Sequence, residues 1–397
     1  IQRPEFGWQL FSNERSVLQT GYRLQTSQDV CFDKVIWDTG DVESCQSQHV
    51  PYAGLLLRPR TRYYYRVKVW DNKGNASPWS EPAFWETGMM THDQWLAQWI
   101  TSPLPEETQL EASPLMRTEF TATKPIAAAR VYVTSLGFYT LYMNGNRVGE
   151  DYFTPGWTSY NKRLQYQTYD VTDLLQQGGN AVGAVLGNGW YAGYIAWERG
   201  KGFYGDRRAL LLQMHIRYED GTEDVIVSNK NWKCTTGPIS MAEIYHGETY
   251  DATKEKTGWD LPSYDDRYWL NVAAYDHPMD MLVAQECASP RIMDELPVVD
   301  MFRTPAGETV LDFGQNMVGF VRFSVKGKRG DVVSIRHAEV LDKDGNFYTA
   351  NLKGAKQTIQ YTLKGEGTES YQPHFTFQGF RYICIDEYPG EIRPENF

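Results

Sequence analysis

Apolar and polar residues alternate along most of the chain, and this period of two predicts β-strands. The alternation is clear in ARVYVTSLGFYTLYMNG, LLLQMHIRYEDG and VRFSVKGKRGDVVSIRHAEVL, and each run ends in Gly, Asn or Asp or in a short polar segment. Successive side chains of a strand point to opposite faces, so a half-buried strand shows this pattern. Gly, Asn and Asp favour turns between strands. We therefore expect an all-β fold of consecutive β-sandwich domains.

Only two short segments have helical character. One is LAQWI at 96–100. The other is VTDLLQQGGN at 171–180, where Asp170 or Thr172 can cap the start and Gly178–Gly179 can end the turn. Little helix is expected elsewhere.

The chain divides by pattern into three predicted units, and its 397 residues suggest about two to four domains. Residues 1–90 contain RTRYYYRVKVWDNKGNASPWS, which is typical of a fibronectin type III or immunoglobulin-like sandwich. Residues 95–290 and 295–397 hold enough strands for two jelly-roll-like sandwiches. The short basic stretch KGKRG at 326–330 is expected to be a hairpin turn.

Charge and hydropathy limit the possible partners. The formal net charge is −11, which argues against nucleic acid and against anionic membrane surfaces. No run of 18 apolar residues occurs, so no membrane-spanning segment is expected. The compartment stays open: a periplasmic or extracellular location is suspected, and a cytoplasmic one is compatible with the sequence.

The five cysteines lie far apart without a CxxC pair. Cys31 and Cys45 could form a disulfide inside the first unit, but spacing does not decide it. We expect mostly buried free thiols.

No standard catalytic motif occurs: the sequence has no P-loop, no GxSxG, no HExxH and no GxGxxG after a strand. The seven His residues are scattered, so no local metal site is visible. The acidic pair Asp265–Asp266 precedes a strand and is expected to be solvated. No catalytic residue is therefore assigned.

Loop aromatics of the second unit are the best functional signal. The stretch LGNGWY at 186–191 puts two large rings beside turn-forming residues. A sugar packs its apolar face on a flat ring and needs polar groups for its hydroxyls. The alternative is that these rings plug the end of a sandwich core. The carbohydrate-binding candidates are Asp151, Tyr152, Trp157, Tyr160, Asn188, Trp190, Tyr191 and Asp206, with Trp197 and Tyr204 in the same loops.

The same unit carries motifs of a known family. NG-x-R-VG, PGWT-x-Y, Y-x-TYDVT and LGNGWY occur in the order found in bacterial α-L-rhamnosidases, and the run containing them closely resembles their N-terminal β-sandwich. LDFGQNMVGFVRF, followed by RHAEVLDKDGNFY, resembles the concanavalin-like domain that comes next. The first unit is similar to the fibronectin-like module that often precedes both.

The resemblance implies a glycoside hydrolase that releases terminal α-L-rhamnose from glycans or glycosides. In that family an (α/α)₆ barrel follows these domains and performs an inverting hydrolysis with two acidic residues. No helical-hairpin pattern occurs in this sequence. The chain is therefore expected to be an ancillary region that is inactive alone, with the barrel as its intramolecular partner; a truncated form and a degenerate homologue both stay open. The alternative is a stand-alone carbohydrate-binding or scaffold protein.

In some family members the second sandwich is a calcium-dependent rhamnose-binding module, and in others it only braces the barrel. The resemblance thus makes Asp151 and Asp206 candidate ligands of a calcium ion in a sugar site. No DxDxDG motif supports it. No cofactor for catalysis is expected.

Overall fold

The computed structural model describes residues 3–105, 112–195 and 200–397 and confirms the all-β fold. The chain forms two compact units, Ile1–Trp95 and Leu96–Phe397. No helix in the described ranges has the length and apolar character needed to cross a membrane.

The N-terminal unit is built on a five-stranded sheet and a two-stranded sheet. The larger has the order β3-β2-β6-β7, with β4 also on β2, and the smaller pairs β1 with β5. Its core includes Leu24, Tyr63 and Val67 from β2 and β6. The strands are β1 (Glu5–Phe6), β2 (Gln19–Ser27), β3 (Val35–Asp38), β4 (Val42–Glu43), β5 (Val50–Pro51), β6 (Arg62–Asp71) and β7 (Ala83–Glu86), followed by a 3₁₀ turn at His92–Gln94.

The C-terminal unit begins with a sandwich that we call the first sandwich. One sheet has the order β21-β8-β15-β10-β13-β22, with β16 also on β15, and the other has the order β12-β11-β14-β9-β17-β20. Val131, Leu212 and Val182 belong to the core between them. The strands are β8 (Ile100–Thr101), β9 (Pro114–Ala122), β10 (Ile126–Leu136), β11 (Phe138–Met143), β12 (Asn146–Arg147), β13 (Leu164–Asp170), β14 (Gly178–Gly187), β15 (Ala209–Tyr218), β16 (Glu223–Val227), β17 (Lys233–Thr236), β20 (Leu270–Asn271), β21 (Ala273–Ala274) and β22 (Leu282–Ala284).

The second sandwich packs a seven-stranded sheet, β18-β19-β27-β26-β29-β24-β23, on the pair β25-β28. Its core joins Phe323 and Tyr371 of the pair to Ile335, Ile359 and Ile383 of the sheet. The strands are β18 (Ile239–Glu243), β19 (Gly247–Asp251), β23 (Asp300–Arg303), β24 (Thr309–Gly319), β25 (Phe323–Lys326), β26 (Val332–Ala338), β27 (Thr358–Thr362), β28 (Thr368–Tyr371) and β29 (Gln378–Glu387).

Two strands connect the sandwiches. β19 pairs in parallel with β27, Gly247 opposite Thr358, although more than a hundred residues separate them. The segment Ile239–Asp251, inside the predicted second unit, thus completes the sheet of the third. The predicted boundaries 1–90, 95–290 and 295–397 stay predictions.

Short helical segments are few in the described ranges. One helical turn, α1, covers Gly189–Ala192, and 3₁₀ turns cover Thr172–Leu174, Ala252–Lys254, Ala350–Leu352 and Pro394–Asn396. Of the helical segment predicted at 171–180, only the 3₁₀ turn is helical, because β14 already begins at Gly178. The Asp170 carboxylate accepts from the Thr172 N–H at 3.1 Å.

The helix predicted at 96–100 is wrong. Ala97 and Trp99 are buried while Leu96 and Gln98 are exposed, which is the alternation of an extended chain leading into β8. Five residues are too few to separate the two periods by sequence. The expected hairpin at 326–330 is also wrong, because the turn there leads from β25 to β26, which lie in different sheets.

All five cysteines are free thiols in the structure. Cys234 and Cys384 are buried as expected, but Cys31, Cys45 and Cys287 are exposed. The expectation of mostly buried thiols is therefore wrong, and Cys31 and Cys45 are not bonded to each other.

Candidate functional site

The LGNGWY stretch is the buried junction between β14 and α1. A Cβ on Gly187 would overlap the Phe375 ring of the second sandwich, and one on Gly189, at φ +56°, would meet Phe138. Asn188 and Tyr191 are only 1% and 3% exposed. The glycines thus allow close packing, and the stretch mainly fills the space at the sandwich junction.

One flat aromatic surface nevertheless faces solvent beside it. Trp157 is 56% exposed and stacks on Trp190, with ring centroids 5.8 Å apart and 16° between the planes. Its Nε1–H donates to Tyr204 Oη at 3.4 Å. Trp190 is fixed from behind by an edge-to-face contact with Phe138 at 5.0 Å. We call Trp157, Trp190 and Tyr204 the indole surface.

Tyr160 and Tyr191 lie beneath this surface and do not reach solvent. Tyr160 Oη donates to the Gly156 carbonyl at 2.5 Å, and its ring meets Tyr191 edge-on at 5.6 Å. Burial raises the pKa of both phenols well above the usual value. These two candidates therefore support the indole surface rather than offering groups to a ligand.

Asp151 and Tyr152 do not belong to the indole surface. The Asp151 side chain is 8% exposed and accepts from Arg291 Nε at 2.9 Å and from Tyr169 Oη at 3.2 Å. The Arg147 guanidinium covers the Tyr152 ring at 4.2 Å, and Gln372 donates to its Oη at 3.0 Å. Asp151 is thus already engaged by the protein.

Asp206 is exposed, and within the described ranges it makes no hydrogen bond. No group of three or more His, Cys, Asp or Glu side chains among those residues is placed to hold a metal ion. The calcium site near Asp151 or Asp206 stays a prediction. Trp197 lies outside the described residues.

The carboxylates of Asp265 and Asp266 were expected to be solvated, but each of them is paired with an arginine. Asp266 pairs with the buried guanidinium of Arg117, whereas Asp265 accepts from Arg267 Nε at 2.8 Å. The two carboxylates therefore have separate structural partners.

A large cavity, missed by the sequence reasoning, opens between the two sandwiches. Its volume is about 750 Å³, and we call it the inter-sandwich groove. Tyr152 and Trp190 line it together with an aromatic floor and the connecting segment 290–297. Met293 and Val318 on its wall are 84% and 77% exposed. The sequence signal was the alternating run PHFTFQGF at 373–380, whose rings at Phe377 and Phe380 form part of that floor.

Comparisons with known proteins match the chain domain by domain. Residues 1–91 match the Rha78A-like N-terminal immunoglobulin domain, and residues 124–294 match the alpha-L-rhamnosidase N-terminal domain. Residues 302–397 match the bacterial alpha-L-rhamnosidase concanavalin-like domain.

Whole-chain relatives agree. An alpha-L-rhamnosidase of Streptomyces avermitilis is 33% identical over 98% of this chain and 54% of its own length. One from Alteromonas sp. (strain LOR) is 35% identical, over 98% of this chain and 44% of its own. The chain spans about half the length of the curated relatives it matches.

Solved structures give the same picture. The alpha-L-rhamnosidase of Streptomyces avermitilis complexed with L-rhamnose superimposes with a TM-score of 0.94 at 32% identity, covering 100% of this chain and 55% of that one. The native enzyme from Aspergillus terreus gives 0.93 at 35% identity, covering 100% and 46%. The chain therefore carries, in series, three β-domains that match the immunoglobulin, N-terminal and concanavalin-like domains of α-L-rhamnosidases.

Proposed function

We propose that this chain is the ancillary β-sandwich region of an α-L-rhamnosidase that releases terminal α-L-rhamnose from glycans or glycosides. The observation that carries the proposal is the match of three family domains in series, on a chain half as long as its relatives. Hydrolysis, with inversion, belongs in this proposal to a C-terminal (α/α)₆ barrel. The ion-paired carboxylates Asp265 and Asp266 fit a region without an acid–base pair of its own.

The inter-sandwich groove supports a bracing role. Its floor is aromatic, with Phe313, Phe377 and Phe380, and its rim carries the ion pair Arg322–Glu295 at 2.6 Å. An exposed apolar area with a polar rim is typical of a protein–protein contact surface. We propose that the catalytic barrel packs against this groove, so that Met293 and Val318 are buried in the longer protein.

A lysine in the groove tests this role. Val318→Lys in the longer protein places a charge where the barrel would pack, and it should lower both the thermal midpoint and the turnover of an aryl α-L-rhamnoside. The same substitution in the 397-residue chain should leave its thermal midpoint unchanged, because Val318 is exposed there. Val340→Lys, at a valine that is 48% exposed outside the groove, is the matched control. Equal behaviour of the two variants in the longer protein would refute the bracing role.

A second candidate function, carbohydrate binding, is favoured by the indole surface. Trp157 offers one exposed face, and Tyr204 beside it offers a hydroxyl. Burying the apolar face of one sugar on an indole contributes on the order of 1–2 kcal/mol. We therefore propose weak rhamnose binding at Trp157, with calcium near Asp206 as the group that would strengthen it.

A further inference from the structure

A second, smaller cavity lies at the junction of the two sandwiches, away from the indole surface. Its volume is about 330 Å³, and we call it the polar pocket. Strands of both sandwiches line it, through Val185 of β14 and Tyr250 of β19, and the loop 255–260 closes one side. None of the carbohydrate candidates predicted from the sequence lies in it.

One wall of the polar pocket is rigid and fully hydrogen-bonded. The Tyr250 ring is stacked between His374, at 5.5 Å, and Tyr361, at 5.6 Å. Its Oη donates to Glu255 at 3.0 Å, and Lys364 Nζ donates to the other oxygen of Glu255 at 2.8 Å. This wall is therefore fixed before any ligand arrives.

Two other polar groups of the pocket have unused hydrogen-bonding capacity. Ser113 is 1% exposed, and its Oγ has no hydrogen-bond partner in the described part of the chain. The half-buried carboxylate of Asp260 receives no hydrogen bond from any other described residue, and burial raises its pKa. Buried polar groups without partners are rare and costly, so each marks a place where a ligand can donate or accept.

The loop that carries Asp260 is anchored from inside the fold. Arg117 is buried; its Nε donates to the Trp259 carbonyl at 2.7 Å and its Nη2 to the Leu261 carbonyl at 3.0 Å. The Trp259 indole meets Tyr142 edge-on at 5.8 Å, and both rings line the pocket. Asp260 is thus presented at a fixed position beside an apolar wall, which lowers the entropic cost of binding.

The charged side chains that line the polar pocket restrict the class of ligand that it can bind. Lys256 and Lys364 line the pocket and disfavour a cation, while Glu255 and Asp260 disfavour an anion. A neutral ligand with several hydroxyls satisfies the carboxylate and the serine together and still offers apolar C–H groups to Trp259.

We propose that the polar pocket binds one neutral sugar unit, with a vicinal diol donating to the Asp260 carboxylate and a further hydroxyl meeting Ser113. This sugar site rests on the proposed function only through the choice of L-rhamnose as the probe. The inference does not depend on the bracing role or on the indole surface.

The test is a ligand-observed NMR titration of the 397-residue chain with L-rhamnose. A Trp157→Ala background removes the exposed ring of the indole surface, and Asp260→Asn and Ser113→Ala are added to it singly. Asp265→Asn is the matched control, since Asp265 lies in the same segment but pairs with Arg267 outside the pocket. We expect millimolar binding in the background, about tenfold weaker binding in Asp260→Asn and unchanged binding in Asp265→Asn.

Circular dichroism and thermal midpoints check that each variant folds, and Ser113→Ala, which removes a single oxygen, gives an independent reading with an expected loss of a few fold. No binding in the Trp157→Ala background would overturn the proposal while leaving a sugar site at the indole surface intact. Equal affinity of Asp260→Asn and Asp265→Asn would overturn it as well. So would saturable binding of ethanolamine, a cation, in place of L-rhamnose.

Discussion

His337 gives the chain a built-in dependence of stability on pH. It lies in β26, fully buried, with Nδ1 2.8 Å from the Gln357 carbonyl and its ring edge-on to Phe380 at 4.9 Å. Nδ1 therefore carries the proton, and Nε2 has no partner among the described residues. Burial lowers the pKa of His337 from 6.5 to about 4.

The sign and size of the pH dependence of the free energy of unfolding follow from proton linkage. Between pH 6.5 and 4 the unfolded chain binds a proton at this residue and the folded chain does not, so the free energy of unfolding falls as pH falls. At about 1.4 kcal/mol per pH unit, the stabilisation lost across that window is about 3 kcal/mol. It is fully present above pH 6.5.

The assay compares the chain with His337→Asn, whose amide keeps a donor near the position of Nδ1. Hydrogen exchange of peptides from β26 and β29 gives the opening free energy of the second sandwich at each pH. Because several carboxylates also titrate in this range, the informative quantity is the difference between the two proteins. That difference should shrink by about 3 kcal/mol from pH 7 to pH 4, whereas exposed His92→Asn should match wild type throughout. A difference that does not change with pH would show that the burial of His337 does not make the stability of the second sandwich depend on pH.

Three further perturbations follow from the packing and the indole surface. Gly187→Ala should destabilise the C-terminal unit by about 1–3 kcal/mol in urea unfolding, because the new methyl meets Phe375, while Gly179→Ala, whose Cβ would lie 3.8 Å from Pro262, should cost much less. Arg117→Met should lower the free energy of unfolding by about 3–5 kcal/mol in the same measurement, because it leaves the carboxylate of Asp266 and two loop carbonyls without their partner. Arg267→Met, at an exposed arginine, should leave the urea midpoint unchanged. Trp157→Ala should weaken the binding of L-rhamnose at the indole surface severalfold, as measured by calorimetry. A chelator should weaken it as well if calcium contributes. An affinity that neither change alters would place the sugar site elsewhere.

The fold class was predictable because most strands show their alternation of apolar and polar residues within a short stretch of sequence. Alternation over β11 and β15, together with turn residues at 144–145 and 219–221, predicts the antiparallel hairpins β11–β12 and β15–β16 directly. The parallel pairing of β19 with β27 was not predictable, since a period of two identifies a strand but not a partner more than a hundred residues away.

The candidate site was predictable only in part. Sequence chemistry identified the aromatic loops, and the structure brings Trp157, Tyr160, Trp190 and Tyr191 together. It could not show that Tyr160 and Tyr191 face inward. The Tyr191 ring can face inward only because its neighbour in the fold, Gly205, has no side chain: a Cβ there would overlap Tyr191 Oη. The sequence does not show which residues become such neighbours. The polar pocket needs residues from 113 to 374, so no local motif could reveal it.

We propose that this chain is part of a longer α-L-rhamnosidase whose catalytic groups lie outside these three β-domains. Turnover of an aryl α-L-rhamnoside is measured for the purified 397-residue chain and for the proposed longer protein that includes the barrel, at equal molar concentration. We expect release of rhamnose by the longer protein and none by the 397-residue chain alone. Turnover by the chain alone that a single Asp or Glu substitution within it abolishes would show that the catalytic groups lie in these β-domains.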